Sequence, residues 1–393
     1  MKRTVVTIIS LLLVLAVGLP AQDTAANDAY IKAMTNNDMG QRAQLLKDWL
    51  SKYGSGHEYE NFASATLCTM QYPGKTPEDA IKYGEKAIAL GGLDDSTTCQ
   101  VLLNVSMMYT HKGQNLGKAK SYAGQIVQTA KTAMGKESEK GNEKIWNQLI
   151  GAGYFAQAQA MEKNNEIKGA VSAYASSYNI LKNKQIVTTL AKLGKSLYDA
   201  KAYADAAAAF KIAVPILKDF GSTTLYAKSL HRQGKKSEAL KYYKQSYSAK
   251  KTGEIAYNIG LLLAPQVKSN PSMAGDAIQY LLDASFLSPA NSKKAMQLAE
   301  GLYFNQNPQY NEKVKSLQAK GAELEKATND FNDKYGEKEE EDLSDSEKKE
   351  MNDTLARIEK LQEDIAQLQE EQQAELGKFN QLIEQTKQKL GVK

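Results

Sequence analysis

The chain has 393 residues, 42% of them apolar and 24% charged, with 50 lysines and arginines against 45 acids and a formal net charge of +5. Only eight prolines and two cysteines are present, which excludes a disulfide-dense scaffold and leaves room for long uninterrupted helices. Alanine, lysine, leucine, glutamine and glutamate dominate, a composition that favours an all-α protein.

Lys2 and Arg3 stand at the start, a nearly unbroken apolar stretch runs from Val5 to Val17, and Gly18-Leu19-Pro20-Ala21 precedes polar Gln22. That is the layout of a secretory signal peptide, too short for a membrane span. Cleavage is expected after Ala21, with Gly18 as the second choice, so residues 1–21 are a signal peptide and the mature chain is periplasmic or secreted. No cysteine follows the apolar stretch, so a lipid anchor is not expected, and no later segment is apolar enough to span a bilayer.

Residues 22–58 read as an N-terminal helical cap, with Tyr30, Met34, Ala43, Leu45, Leu46, Trp49 and Leu50 on the apolar side and Gly54-Ser55-Gly56 closing it. From 59 to 308 one pattern recurs: a small residue, a large one four positions on, and a second small one three further. It reads Ala170-Tyr174-Ser177, Ala206-Phe210-Ala213, Ala239-Tyr243-Ser246 and Ala277-Leu281-Ala284, with weaker copies at Ala80-Gly84-Ala87 and Ala119-Ala123-Ile126. Steps between first residues are 39, 51, 36, 33 and 38. The long step holds the polar stretch Lys131 to Lys144, read as an inserted loop. A second apolar helix precedes each triplet, as in Leu190, Leu193-Gly194, Leu197 or Ile259-Gly260, Leu263. Cys68 and Cys99 fall late in one first helix and early in the next. An offset of roughly 10 Å along the helix axis argues against a disulfide between them.

These residues carry a resemblance to the tetratricopeptide-repeat family, a helix-turn-helix unit of about 34 residues. Leu190, Leu193, Gly194, Leu197, Ala206, Phe210 and Ala213 match its spacing without a gap, and Pro289 takes the terminal proline position of the last unit. Tryptophan is missing from every first helix, and the unit from 99 to 130 is degenerate. The resemblance implies a TPR-type right-handed helical solenoid of about six repeats; a solenoid with longer units is the alternative. Small residues where helices cross let the backbones approach closely, and no helix pair buries its apolar face alone.

Residues 309–393 differ in character. Tyr310, Val314, Leu317, Leu324, Phe331 and Tyr335 step by threes and fours, an acidic run spans Glu337 to Asp342, and Ser344 with Glu347 forms a capping box. The stripe then resumes from Met351 to Leu390 with a broken heptad phase. A long helical hairpin is expected here, with a dimeric coiled coil as the rival and self-association through these helices left open. Residues 311–393 carry 21 acids and 14 bases, while residues 22–310 carry 24 and 34. No acid lies between Asp95 and Glu137. A basic body could attract this acidic arm or an anionic partner.

Signs of chemistry are few. His57, His111 and His231 stand apart from any second ligand at metal spacing, and neither a Gly-x-Ser-x-Gly elbow nor a phosphate-binding loop occurs. Gly151-Ala152-Gly153 reads as a helix-start or packing feature, and Glu78-Asp79 and Asp94-Asp95 as helix-start charges. No cofactor, metal or catalytic residue is assigned. Nucleic acid is a poor partner for an exported chain without arginine clusters. What the resemblance implies is a partner-binding groove on the first helices, here Phe155, Gln159, Lys195, Tyr198, Lys228, His231, Tyr257 and Leu261, with Arg232 beside them. Lys195, Lys228 and Arg232 would suit an acidic peptide or a carboxylate terminus. Lys195 and Lys228 stand where the carboxylate-clamp pattern of chaperone-binding repeats has asparagine. The expected function is an exported protein–protein interaction scaffold; a holdase-like envelope chaperone and an enzyme whose site is assembled across repeats are the alternatives.

Overall fold

A computed structural model describes residues 21–392. The expected signal peptide, residues 1–21, lies outside the described residues except for Ala21. Among the described residues there are seventeen α-helices and no strand, and no helix is long and apolar enough to cross a membrane. The chain divides between Ala200 and Lys201 into two compact units, each described by itself.

In the first unit, α1 (Ala21–Thr35) and α2 (Met39–Lys52) form the N-terminal pair. The Trp49 indole N–H donates to the Ala26 carbonyl over 2.7 Å, and Tyr30 lies between Trp49 and Tyr59 with ring centroids 5.3 and 4.7 Å away. Three helix pairs follow: α3 (Glu60–Thr69) with α4 (Pro77–Leu90), α5 (Asp95–Lys112) with α6 (Leu116–Met134), and α7 (Glu143–Lys163) with α8 (Ile167–Leu181); α9 (Lys184–Asp199) then packs on α8. α5 also packs on α3, and α7 on α5. This sharing of apolar faces between neighbouring pairs makes a stack rather than a bundle around one core. Glu78 and Asp79 occupy the first turn of α4, and Asp94 caps α5 by accepting from the Thr97 amide.

Every triplet helix is the second of its pair: Ala80 lies on α4, Ala119 on α6 and Ala170 on α8. The degenerate unit from 99 to 130 is as regular a pair as the others. The stretch read as an inserted loop is helical at its ends, where Lys131 to Met134 finish α6 and Glu143 opens α7; residues 135–142 between them form a link that carries one short 3-10 turn. The long step in the repeat comes from this link and from α6 and α7, which run to 19 and 21 residues, and alanines at 123, 130, 133, 156 and 160 keep both packed along that length. Gly151 and Gly153 lie inside α7, not at its start. A Cβ on Gly151 would sit 2.6 Å from Leu181, and one on Gly153 2.9 Å from Val127. Both thiols are free and buried. Cys68 packs over Gly84, while Cys99 lies among Leu102, Ile126 and Trp146.

The second unit begins with α10 (Tyr203–Leu217) and continues through α11 (Phe220–Arg232), α12 (Lys236–Ala249), α13 (Gly253–Val267), α14 (Ala274–Leu287) and α15 (Ser292–Asn305). Ala206, Ala239 and Ala277 again fall on α10, α12 and α14, and Pro289 lies just past the end of α14. Where a triplet carries serine in place of alanine, the hydroxyl finds a partner across the pair. Ser177 donates to the Gly151 carbonyl over 2.8 Å, and Ser246 and Thr224 share a hydrogen bond of 2.5 Å.

The C-terminal segment is a hairpin of α16 (Pro308–Tyr335) and α17 (Asp345–Leu390), the latter opened by the Ser344–Glu347 capping box. Lys313 pairs with Glu371, Lys320 with Asp364 and Lys334 with Glu350. Each step of seven or fourteen along α16 is matched by the same step back along α17, so the helices are antiparallel and in register. Leu324, Ala327 and Phe331 meet Ile358 and Leu361 in the seam. α17 outruns α16 and returns to α14. There Phe379 is buried against Tyr303 and Phe304, with centroids 5.0 and 5.7 Å away, and Gln279 donates to the buried Thr386 hydroxyl over 3.2 Å.

Candidate functional site

The residues expected to line a groove fall in both units. In the first, Phe155 and Gln159 are half-buried one turn apart on α7. Phe155 meets the Tyr174 ring edge-on at 5.7 Å, which fixes it against its own pair. On α9, Lys195 is exposed and pairs with Asp199 one turn on at 2.7 Å, and Tyr198 is half-buried.

In the second unit, the first helices α11 and α13 lie close enough for Lys228 to pair with Glu254 at 2.6 Å. Lys228, His231 and Arg232 follow at helical spacing on α11, and Glu254, Tyr257 and Leu261 on α13, so each set shares a face. Tyr257 is half-buried and Leu261 is exposed, although both are largely apolar. His231 leans toward α12, its Nδ1 3.4 Å from the Tyr243 hydroxyl. Burial, then the nearby charges of Arg232 and Lys236, hold its imidazole below the ordinary histidine range. Arg232 is exposed at the end of the helix.

Two features escape a reading of the sequence. Two of the three groove cations carry acidic partners, Lys195 with Asp199 and Lys228 with Glu254, 26 positions away, and four lysines of the acid-free stretch after Asp95 pair with acids outside it. Lys112 pairs with Glu78, Lys118 with Glu85, Lys120 with Glu166 and Lys136 with Asp95. The second is the surrounding of Glu85 on α4. It accepts from the Tyr109 hydroxyl over 2.7 Å and the Tyr122 hydroxyl over 3.3 Å, besides Lys118. Burial alone would raise its pKa, but hydrogen bonds from Lys118 and Tyr109 hold the carboxyl below its usual range. The sequence gives only the spacing of these tyrosines. Their convergence depends on α4, α5 and α6 stacking in order.

No family model matches the chain, and no curated protein sequence matches it. Among solved structures, it is similar to a tetratricopeptide repeat protein from Parabacteroides merdae, at 12% identity over 72% of this chain and 100% of that one, with a TM-score of 0.33. It is also similar to the TPR2AB domain of yeast Sti1 in its complex with pHSP90, at 14% identity over 63% of this chain and 99% of that one, with a TM-score of 0.26. The placement of the small residues describes the fold more closely than either likeness. Five of the six triplets lie on the second helix of a pair within one unit, and Gly151 and Gly260 sit on first helices under Leu181 and Leu281. Each of the two all-α units stacks helix pairs through shared apolar faces, and the second ends in a helical hairpin.

Proposed function

We propose that the chain is an exported scaffold that binds another protein through the first-helix faces of its stacked pairs. The observation that supports this reading most directly is on α13. Leu261 stands exposed and Tyr257 half-buried on the side away from the buried Ile259 and Leu263, and the Lys228–Glu254 pair brings α11 beside them. An apolar residue left open between charged neighbours on a rigid stack suits a peptide or helix laid across it. The export part of the reading rests on residues 1–21 of the sequence.

The test is capture from the native cell envelope, with cross-linking and mass spectrometry to identify the bound protein. Tyr257→Asp with Leu261→Asp should lower capture of a stoichiometric partner about tenfold or more, as loss of central interface side chains does, with helicity by circular dichroism unchanged. Unchanged capture removes α13 from the site. Suppression of aggregation of unrelated clients, without one stoichiometric partner, would replace the scaffold by a chaperone.

A further inference from the structure

One basic run of the second unit spans the end of α11, α12 and the two residues after it. Between residues 228 and 251 the chain holds eight lysines and arginines against a single acid, Glu238. Lys228 and Lys244 are used by Glu254 and Asp276. Arg232, Lys235, Lys236, Lys241, Lys250 and Lys251 are exposed and have no carboxylate in ion-pair range among the described residues. Lys236 and Lys241 lie on α12, Lys235 and Lys250 cap its two ends, Lys251 follows and Arg232 ends α11, so the group spans the length of α12, roughly 20 Å. Lys241 and Lys250 rest over the Tyr242 and Phe220 rings, each 5.7 Å from the centroid, which keeps them at the surface. Lys235 and Lys236 stand at the first turn of α12, the positive end of its dipole. Cations there work against the helix, so their placement does not serve its stability.

The opposite charge is at the hairpin turn. Five acids lie between Glu337 and Asp342 against Lys338 alone. Glu337, Glu339, Glu341 and Asp342 are exposed; Lys334 and Lys338 are engaged by Glu350 and Glu347, while Lys348 and Lys349 follow in the opening turns of α17. α16 is 28 residues long and carries this turn roughly 40 Å from its own start. Its ion pairs to α17 hold it in register along the way. Among the described residues, no turn carboxylate pairs with an α12 cation of the same chain.

We propose that the α12 face docks the acidic hairpin turn of a second copy of this chain. The fit is in charge: an unneutralised basic strip and an unneutralised acidic turn on one polypeptide are always present in equal number. A two-fold arrangement satisfies both at once, each copy's turn on the other's α12, and two linked contacts hold where one weak contact would not. The contact is electrostatic and therefore weakens with salt. Its test is separate from that of the partner-binding reading: Tyr257 and Leu261 take no part in it, and Arg232, which borders both surfaces, is left unchanged in every variant.

Analytical ultracentrifugation of the purified mature chain tests this. At about 25 mM salt it should show a concentration-dependent dimer that dissociates near 0.5 M, where the screening length falls to a few ångströms. Lys235→Glu/Lys236→Glu/Lys241→Glu should weaken dimerisation about tenfold or more, and so should Glu337→Lys/Glu339→Lys/Glu341→Lys. Mixing the two variants should restore it, because each then offers the complement of the other. Thermal melts would show whether both variants remain folded. A monomer at low salt at every concentration overturns the proposal. So does a dimer untouched by the α12 variant, or failure of two folded variants to associate when mixed. Binding of the low-salt monomer to anionic vesicles or another acidic protein would also count against it.

Discussion

Tyr247 on α12 donates its hydroxyl proton to the carboxylate of Asp283 on α14 over 2.6 Å, and Asp283 is only 3% exposed. Gln279 supplies a second donor to Asp283 at 2.8 Å and reaches Thr386 of α17. One buried acid thus ties two helices of the stack to the returning end of the hairpin. Tyr247→Phe leaves the carboxylate with one donor fewer and should cost about 1–3 kcal/mol, the usual consequence of stranding a buried polar group. Asp283→Asn keeps an acceptor for Tyr247 and should cost less. Urea denaturation of both variants checks the order, and an Asn variant weaker than the Phe variant would contradict it.

Several buried tyrosines hold their protons unusually tightly. Burial first, and then neighbouring charge, raises Tyr30 and Tyr226 to about 12. Tyr174 and Tyr247 are pushed higher still by burial and by their hydrogen bonds to Glu162 and Asp283. The unfolded chain would release these protons near the ordinary tyrosine value of about 10. Above that pH the unfolded state binds fewer protons than the folded one, so stability falls as pH rises. The stabilisation is intact below about pH 10 and is lost through the folded-state values above it. Thermal melts between pH 8 and 12 should show this decline, and Tyr174→Phe should flatten it; a melting temperature that holds to pH 12 would contradict the account.

Two sets of helical glycines should respond oppositely to alanine. A Cβ on Gly260 would lie 2.6 Å from the fully buried Leu281. Overpacking of about 1–3 kcal/mol outweighs the roughly 1 kcal/mol gained in helix propensity, so Gly260→Ala should destabilise. Gly321 on α16 and Gly377 on α17 have nothing within 4 Å. Alanine there should stabilise by about 0.5–1 kcal/mol. Differential scanning calorimetry of the three variants distinguishes the signs.

Phe379 should be the anchor of the hairpin's base. It is 4% exposed and touches two aromatic rings of α15. Phe379→Ala should cost about 3–5 kcal/mol, and hydrogen exchange should quicken between 376 and 390 before it does between 345 and 370. Uniform loss of protection along α17 would mean that the seam with α16, not Phe379, holds the helix in place.

The stack was legible because its determinants are local. Ala206, Phe210 and Ala213 stand on one helix face by spacing alone, and a repeated face implies a repeated neighbour. Gly151 and Gly153 were legible as a helix-start or packing feature, and their close approach to Leu181 and Val127 inside α7 selects packing. Asp283 was passed over inside an apolar triplet, since its partners lie 36 positions before it and 4 before it. The groove lysines were legible as charges but not as pairs. That Lys228 meets Glu254 depends on two first helices lying side by side, which periodicity along one helix does not state. The return of α17 to α14 was equally invisible, because a stripe of leucines and isoleucines does not name its partner.

The matched sevens of the hairpin constrain how its length can change. Seven residues deleted from α16 alone would leave Lys334 opposite a different turn of α17 and break the seam, whereas seven removed from each strand would bring the acidic turn closer without disturbing any surviving pair. Arm length is thus adjustable only in paired increments, about 10 Å at a time, and variants of this chain that differ in reach should carry insertions or losses in equal amounts on both sides of the turn.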